Sequence, residues 1–217
     1  MLNLQPSLTS RYLETQLAGD SKAALRLVEI DALGAGMTVP EVQLDIVQPA
    51  QREIGRLWEE NRISVAQEHL ATSISQVVLS HLYPRLPRKR SNGMTAVVAC
   101  VEGELHDMGG RIGADFLEMA GFDVRFLGAN VKERDLLEVV GDAGADLVGL
   151  SGTMSFHVPA LISAIENLRK LRGSDFPILV GGGVLKWAPE LAGSTSLMVA
   201  GADADELVSR CLEYFDR

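Results

Sequence analysis

Five short apolar segments recur through the second half of the chain, and each is followed by residues with helical spacing. They are rich in valine and leucine, which is typical of strands buried on both faces of a sheet: Thr95 to Val101, Asp123 to Leu127, Leu147 to Leu150, Ile178 to Gly181 and Ser196 to Ala200. Strands that alternate with helices form a parallel sheet. The sequence therefore predicts an α/β fold, with a flavodoxin-like, doubly wound, five-stranded parallel sheet over residues 94–217.

The first part of the chain has helical spacing throughout. Apolar residues recur every three or four positions in four segments: Ser7 to Ala18, Ser21 to Leu33, Val39 to Glu60 and Ser64 to Leu82. Thr38 and Ser64 each begin a capping-box pattern, which marks a helix start. We expect an N-terminal four-helix bundle over residues 1–83, with Pro49 kinking or splitting the third helix. Residues 84–93, with two prolines and an Asn-Gly turn, are the predicted linker.

Composition limits the classes of function. The 217 residues are 47% hydrophobic and 23% charged, as in soluble globular proteins. No run of eighteen apolar residues and no basic leader are present, so we expect a cytoplasmic protein that does not bind membranes. A net charge of −9 opposes direct binding to nucleic acid. Cys100 and Cys211 lack Cys-x-x-Cys spacing, so both are expected to be core thiols.

Three motifs follow the predicted first, third and fourth strands: Glu104-x-His106-x-x-Gly109, Ser151-Gly152-Thr153 and Gly181-Gly182-Gly183. The carboxyl ends of parallel strands share one edge, where ligands bind. An imidazole of His106 could reach a metal there. A single histidine does not hold a bare ion, which favours a metal that brings its own macrocycle. The glycines are expected to leave a slot beside the strands for a flat ligand tail.

The order and spacing of these motifs resemble the cobalamin-binding domain of methionine synthase, corrinoid methyl carriers and light-sensing repressors. Their usual pattern is Asp-x-His-x-x-Gly, Ser-x-Leu and Gly-Gly, so Glu104 and Thr153 are departures. The resemblance implies that His106 is the lower cobalt ligand and that Glu104 tunes it by hydrogen bonding. It places the displaced dimethylbenzimidazole near Ser151, Thr153 and Gly182. Asp107 has either a role in the site or a role as an acid at a helix N-terminus.

A second motif, Trp58-x9-Glu68-His69, is similar to the bundle signature of the adenosylcobalamin-dependent light-sensing repressors. The resemblance implies that Trp58 shields the upper face of the cofactor, with Glu68 and His69 near the adenosyl group. The alternative is a core tryptophan and two exposed polar residues. Those repressors carry a winged-helix domain, for which the residues before the sheet leave no room. Glu59 stands where the best-known of those repressors have a histidine that binds the upper face of cobalt after photolysis. The predicted upper ligand after photolysis is therefore His69, His81 or water.

The leading hypothesis is a cobalamin photosensor with no catalytic residues and with adenosylcobalamin as cofactor. Light would break the cobalt-carbon bond, and a change in domain arrangement or oligomeric state would act on a regulator or effector protein in trans. A homo-oligomer is among the expected assemblies. One alternative is a corrinoid methyl carrier for methyltransferases, although Trp58 would then obstruct access to cobalt. Another is a cobalamin chaperone or storage protein. A second chromophore, a linear tetrapyrrole in the bundle, is a minor variation. His81 and His157 match no motif and are expected at the surface or in helix packing.

Overall fold

The computed structural model describes residues 6–192, 198–199, 209, 211 and 213–215. The chain divides into two units, residues 1–87 and residues 88–217. In the first unit, the four predicted helical runs are confirmed. The first is Leu8–Leu17. The second is the α-helix Ser21–Arg26, which continues as a π-helix, Leu27–Ala32, and a 3-10 turn, Leu33–Ala35. The third comprises Val39–Glu41, the π-helix Val42–Val47 and the α-helix Gln48–Glu59, and the fourth is Val65–Leu82, followed by the 3-10 turn Tyr83–Arg85.

Local hydrogen bonds explain where these helices begin. The hydroxyl groups of Thr38 and Ser64 accept the amide protons of residues three positions later, and the Glu41 and Gln67 side chains accept the cap amides in return. Both predicted capping boxes are therefore confirmed. Because free amide groups at a helix start need acceptors, these residues fix the first turns of the third and fourth helices.

Pro49 does not split the third helix, contrary to one of the two predicted outcomes. Helical structure continues from residue 39 to residue 59, and the pattern changes from π to α just before the proline. Proline lacks an amide proton, so in an α-helix it would leave the carbonyl of Asp45 without its usual donor. The hydroxyl of Thr9, on the first helix, donates to that carbonyl at 2.7 Å. This bond satisfies the group and lets the helix continue.

The second unit contains the predicted five-stranded parallel sheet, in the order β2-β1-β3-β4-β5. The flavodoxin-like fold class is thereby confirmed. The strands are β1 (Thr95–Cys100), β2 (Asp123–Gly128), β3 (Leu147–Ser151), β4 (Ile178–Gly181) and β5 (Met198–Val199). The predicted ends of β5, Ser196 and Ala200, lie outside the described residues. The helices and 3-10 turns between strands are Met108–Met119, Glu133–Ala143, Ser155–His157, Val158–Arg172, Gly183–Lys186 and Pro189–Ala192.

Apolar side chains cover both faces of this sheet. Along β1, Val97 and Ala99 pack in one cluster with the helices 133–143 and 158–172, while Ala96 and Val98 pack in another with the helix 108–119. Alternate residues of a strand point to opposite faces, which explains why β1 is apolar from Ala96 to Cys100. Cys100 and Cys211 are buried free thiols, as predicted. Among the described residues, no helix combines the length and apolarity that a bilayer span requires.

The strand order changes direction between β1 and β3. The chain leaves β1 toward β2 on one side and returns to β3 on the other side. The connections after β1 and β3 therefore run toward opposite sides of the sheet, and sheets of this kind bind ligands at such a switch point, beyond the carboxyl ends of the strands. The motifs that contain His106 and Thr153 lie on these two loops.

Candidate functional site

The loop after β1 has a fixed conformation. The amide of Asn130 donates to the carbonyl of Glu104 at 2.8 Å, and the Asn130 side chain accepts the amide proton of Gly103 at 2.8 Å. At the base of the loop, the amide of Val101 donates to the carbonyl of Ser151 at 3.0 Å. These bonds join the loop to the strand and loop on either side of it, so the backbone that carries Glu104 is held from both directions.

Glu104 and His106 form a direct contact. Oε1 of the fully buried Glu104 lies 2.5 Å from Nδ1 of His106 and accepts the His106 amide proton at 2.7 Å. The His106 side chain is 49% exposed at the carboxyl edge of the sheet. A carboxylate beside Nδ1 holds the proton there and puts the imidazole lone pair on Nε2, which is the ligating form. The contact expected between Glu104 and the imidazole is present.

The charge on Glu104 follows from its partners. Burial raises the pKa of this carboxyl. Hydrogen bonds from the side chain and amide of His106 and from the side chain of Thr153 lower it by more than burial raises it, to a pKa of about 2. The group is therefore a carboxylate at neutral pH. Thr153 was predicted to lie near the ligand tail, and the structure places its side chain against Glu104.

His157 also contacts Glu104, so its prediction as a surface or helix-packing residue is wrong. Its ring is 2% exposed, and its Nδ1 lies 2.9 Å from Oε2 of Glu104. The loop after β3 makes the 3-10 turn Ser155–His157 before the next helix, which brings the ring back to the loop after β1. The histidine was missed because its partner lies on a different loop. The available signal was its place just before a helix at the ligand edge.

The glycines after β4 bring backbone segments together. Gly182 has a φ of +95°, and a Cβ there would lie 2.2 Å from the carbonyl oxygen of Gly152. A Cβ on Gly183 would lie 2.9 Å from the carbonyl oxygen of Thr153. The expectation that these two residues leave a slot is therefore wrong, because backbone of the loop after β3 fills that space. At Gly109, by contrast, a Cβ would meet nothing within 4 Å.

Other residues predicted in the site lie close to these loops. Ser151 is buried at the end of β3, where it pairs with Gly181, and its side chain hydrogen-bonds to the thiol of Cys100. Asp107 is the N-cap residue of the helix 108–119, although its side chain accepts no capping hydrogen bond. That position agrees with the helix-terminus interpretation of Asp107.

In the first unit, Glu68 and His69 have different environments. Oε1 of Glu68 accepts a hydrogen bond from the Thr72 hydroxyl at 2.8 Å, and Thr72 accepts one from the Gln51 side chain at 2.5 Å. The His69 side chain is 74% exposed and lies 3.6 Å from Glu68. Trp58 is partly buried in the last turn of the third helix. The alternative of two exposed polar residues therefore holds for His69 but not for Glu68.

The donor set excludes some kinds of metal site. Among the described residues, no group of three or more histidine, cysteine, aspartate or glutamate side chains could hold a metal ion. His106 is instead one exposed imidazole whose proton is fixed by a buried carboxylate. This set fits a metal that lacks a single axial ligand and already carries its equatorial ones.

Family models match both units of the chain. A B12 binding domain matches residues 94–208, more than half of the chain, and a second model, also described as a B12 binding domain, matches residues 8–83. The chain belongs to the B12-binding domain family. It is a cobalamin-binding protein, and the resemblance seen in its sequence motifs is confirmed.

Individual relatives of this B12-binding protein fall into two kinds. A corrinoid protein of Desulfitobacterium hafniense is 29% identical over 167 residues, which are 73% of this chain and 76% of that protein. The HTH-type transcriptional repressor CarH of Myxococcus xanthus is 31% identical over 138 residues, 64% of this chain and 46% of the repressor, so the chain spans less than half of its length. The monomethylamine corrinoid protein of Methanosarcina barkeri shares the fold, with a TM-score of 0.79, 19% identity and coverage of 95% and 97%.

Proposed function

We propose that the protein is a corrinoid methyl carrier and that His106 is the lower axial ligand of its cobalt. One observation carries the ligand assignment: the ionised, buried Glu104 lies 2.5 Å from Nδ1 of His106. A proton fixed on Nδ1 leaves Nε2 as the donor atom, and a hydrogen-bonded carboxylate increases the basicity of a ligating imidazole. The same pairing of carboxylate and histidine orients metal ligands in many unrelated proteins.

The residues around His106 have distinct tasks in this proposal. A bound corrinoid supplies a cobalt atom that can form and break a bond to a methyl carbon. Glu104 holds the His106 proton and ring orientation, and Thr153 stabilises the charge of Glu104. Ser151, at the end of β3, lies beside the same loops and is proposed to border the ligand tail, as the resemblance implies.

The carrier function is favoured by the relatives of the chain. The Desulfitobacterium relative is named as a corrinoid protein, and the structure that shares the fold is named as a monomethylamine corrinoid protein. We therefore propose a methyltransferase as the partner in trans. The carrier must offer the upper face of its cobalt to that partner, so the side chains above the corrin must be displaceable.

A light-sensing function is the second candidate, and it has its own observation. Glu68 is only slightly exposed, and its first oxygen accepts a hydrogen bond from Thr72, which Gln51 holds in turn. Its second oxygen is therefore preorganised to accept a hydrogen bond from a ribose hydroxyl. Together with Trp58, this arrangement suits an adenosyl ligand, and the repressor relative carries the same kind of domain. The output would then be a change in oligomeric state or the release of a regulator protein.

Binding of two cobalamins separates these functions. We would measure the Kd of methylcobalamin and adenosylcobalamin in darkness, for the wild type and for Trp58→Phe. The carrier predicts similar affinities and an effect of Trp58→Phe below about threefold on both ligands. The sensor predicts tighter binding of adenosylcobalamin and a selective loss of about tenfold, roughly 1.4 kcal/mol, in the variant. Methylcobalamin serves as the internal control, and a selective loss would contradict the carrier proposal.

Green light provides the second measurement. For a sensor, illumination of the adenosylcobalamin complex should shift its absorption spectrum and its elution volume together. For a carrier, the elution volume should not change on illumination. His106→Ala should alter the absorption spectrum of either bound cobalamin, because the lower ligand is common to both functions. An unaltered spectrum in His106→Ala would contradict the ligand assignment itself.

A further inference from the structure

The side chain of His157 is buried beside two glycines. A Cβ on Gly103 would lie 3.7 Å from its Cδ2 atom, and a Cβ on Gly152 would lie 3.5 Å from its Cβ atom. The ring of Phe156 packs against it edge to face, with 4.4 Å between ring centroids. His157 thus lies between the loops after β1 and β3, with almost no surface exposed to solvent.

A single carboxylate contacts two imidazoles. Oε1 of Glu104 lies beside Nδ1 of His106, and Oε2 lies 2.9 Å from Nδ1 of His157. The amide of Met154 points its proton at the same Nδ1 of His157, at 3.3 Å, so this nitrogen faces both a donor and the carboxylate. The carboxylate oxygen is the closer of the two, and a nitrogen lone pair would repel it, so we assign the proton of His157 to Nδ1.

The second oxygen of Glu104 depends on this contact. Among the described residues, Oε2 has no well-aligned hydrogen bond. A buried carboxylate oxygen without compensation is costly, and the imidazole of His157 compensates it electrostatically at 2.9 Å. Without His157, the second oxygen of Glu104 would lose this contact, and the carboxylate would be free to rotate. That rotation would remove the acceptor that fixes the Nδ1 proton of His106.

We infer that His157 is a positioning residue for the lower cobalt ligand. It acts through Glu104, and it favours ligation by His106 over ligation by the dimethylbenzimidazole of the cofactor itself. The inference rests on the proposed ligation by His106. It concerns a residue outside the three sequence motifs, and it assigns His157 the task of holding the carboxylate in the orientation that contacts His106.

The test compares two amide substitutions in the full chain. Asn at position 157 places its amide nitrogen near the position of Nδ1 and can still donate to Glu104, whereas Gln places it near the position of Nε2. Proteins labelled with 15N-histidine are loaded with cob(II)alamin, and electron paramagnetic resonance is recorded. Ligation by a labelled histidine splits each line into a doublet, and ligation by unlabelled dimethylbenzimidazole splits it into a triplet.

We expect a doublet in the wild type and in His157→Asn. In His157→Gln, the ratio of doublet to triplet should fall by at least about tenfold, since one charge-assisted contact is lost. His81→Gln is the matched control, because His81 also contacts a glutamate, Glu29, but is exposed on the first unit. It should retain the doublet.

The outcomes distinguish the two proposals. A triplet in the wild type would overturn ligation by His106, whatever the variants show. A wild-type doublet that persists unchanged in His157→Gln would overturn the role of His157 alone. An equal loss in His157→Asn and His157→Gln would also overturn it, because donation from the position of Nδ1 would then not matter.

Discussion

Glu104 stands where the usual motif of these domains has aspartate, and its extra methylene group extends the reach of the carboxylate. One oxygen lies beside His106 and the other beside His157. The motif and the strand end were sufficient to predict that Glu104 would contact His106. The contact with His157 could not be predicted, because it depends on how two loops fold toward each other in space.

The low pKa of Glu104 makes stability depend on pH. Its pKa of about 2 in the folded protein is below the usual value of 4.5, so the folded state takes up this proton at lower pH than the unfolded state. The contribution is fully present above pH 4.5 and is lost as the pH falls toward 2. Urea unfolding of the wild type and Glu104→Gln at several pH values would measure it.

In that experiment, the wild type should be more stable than Glu104→Gln near pH 7, by roughly 1–3 kcal/mol. The difference should shrink between pH 4.5 and pH 2. A difference that stays constant over this range would mean that the charge of Glu104 contributes nothing. Glu133→Gln is a useful control, since that carboxylate accepts partly buried hydrogen bonds from Ser163 and Asn167 in the same unit.

At the scale of elements, a series of side-chain hydrogen bonds connects helices of the first unit. The Tyr12 and Ser75 hydroxyls lie 3.0 Å apart, Ser75 donates to Gln51 at 3.2 Å, and Gln51 donates to Thr72, which donates to Glu68. These hydrogen bonds join the first, third and fourth helices. Helical spacing predicted the helices, but it did not predict these hydrogen bonds or the π-helical stretches, because both depend on which helix faces pack against each other.

Thr72→Val should destabilise the first unit. The valine has nearly the same shape, but it removes the donor to Glu68 and the acceptor of the Gln51 amide, which costs roughly 1–3 kcal/mol. Chemical denaturation would measure the change. Ser80→Ala, on the same helix, removes an exposed hydroxyl that bonds only to the carbonyl of Gln76. It should change the free energy of unfolding by less than about 0.5 kcal/mol, and an equal effect of both substitutions would refute the prediction.

The strand ends of the second unit are joined by close backbone approach. Gly182→Ala would put a Cβ 2.2 Å from the carbonyl oxygen of Gly152, in a left-handed conformation, and should cost several kcal/mol, roughly 3 or more. Gly141→Ala is the control, since its Cβ would meet nothing within 4 Å and the residue is helical. That change should be neutral or stabilising, by up to about 1 kcal/mol. Thermal unfolding of both variants decides the matter.

At the scale of the whole molecule, the order of elements was predictable and the chemistry of the second loop was not. Apolar strands separated by helices led to the strand order, because parallel crossovers allow few arrangements. The glycines after β4 were predicted to leave space for a ligand, whereas at Gly182 the missing side chain allows the backbone of Gly152 to approach. A glycine in sequence does not show whether ligand or backbone takes the place of its missing side chain.

The two tryptophans of the chain are divided between its two units. Trp58 is partly buried in the first unit, while Trp187 in the second is 59% exposed. A shielded indole emits at shorter wavelength than one in water, so intrinsic fluorescence contains two separable signals. The protein therefore carries its own optical label for each unit, and the order in which the units melt can be followed without any added dye.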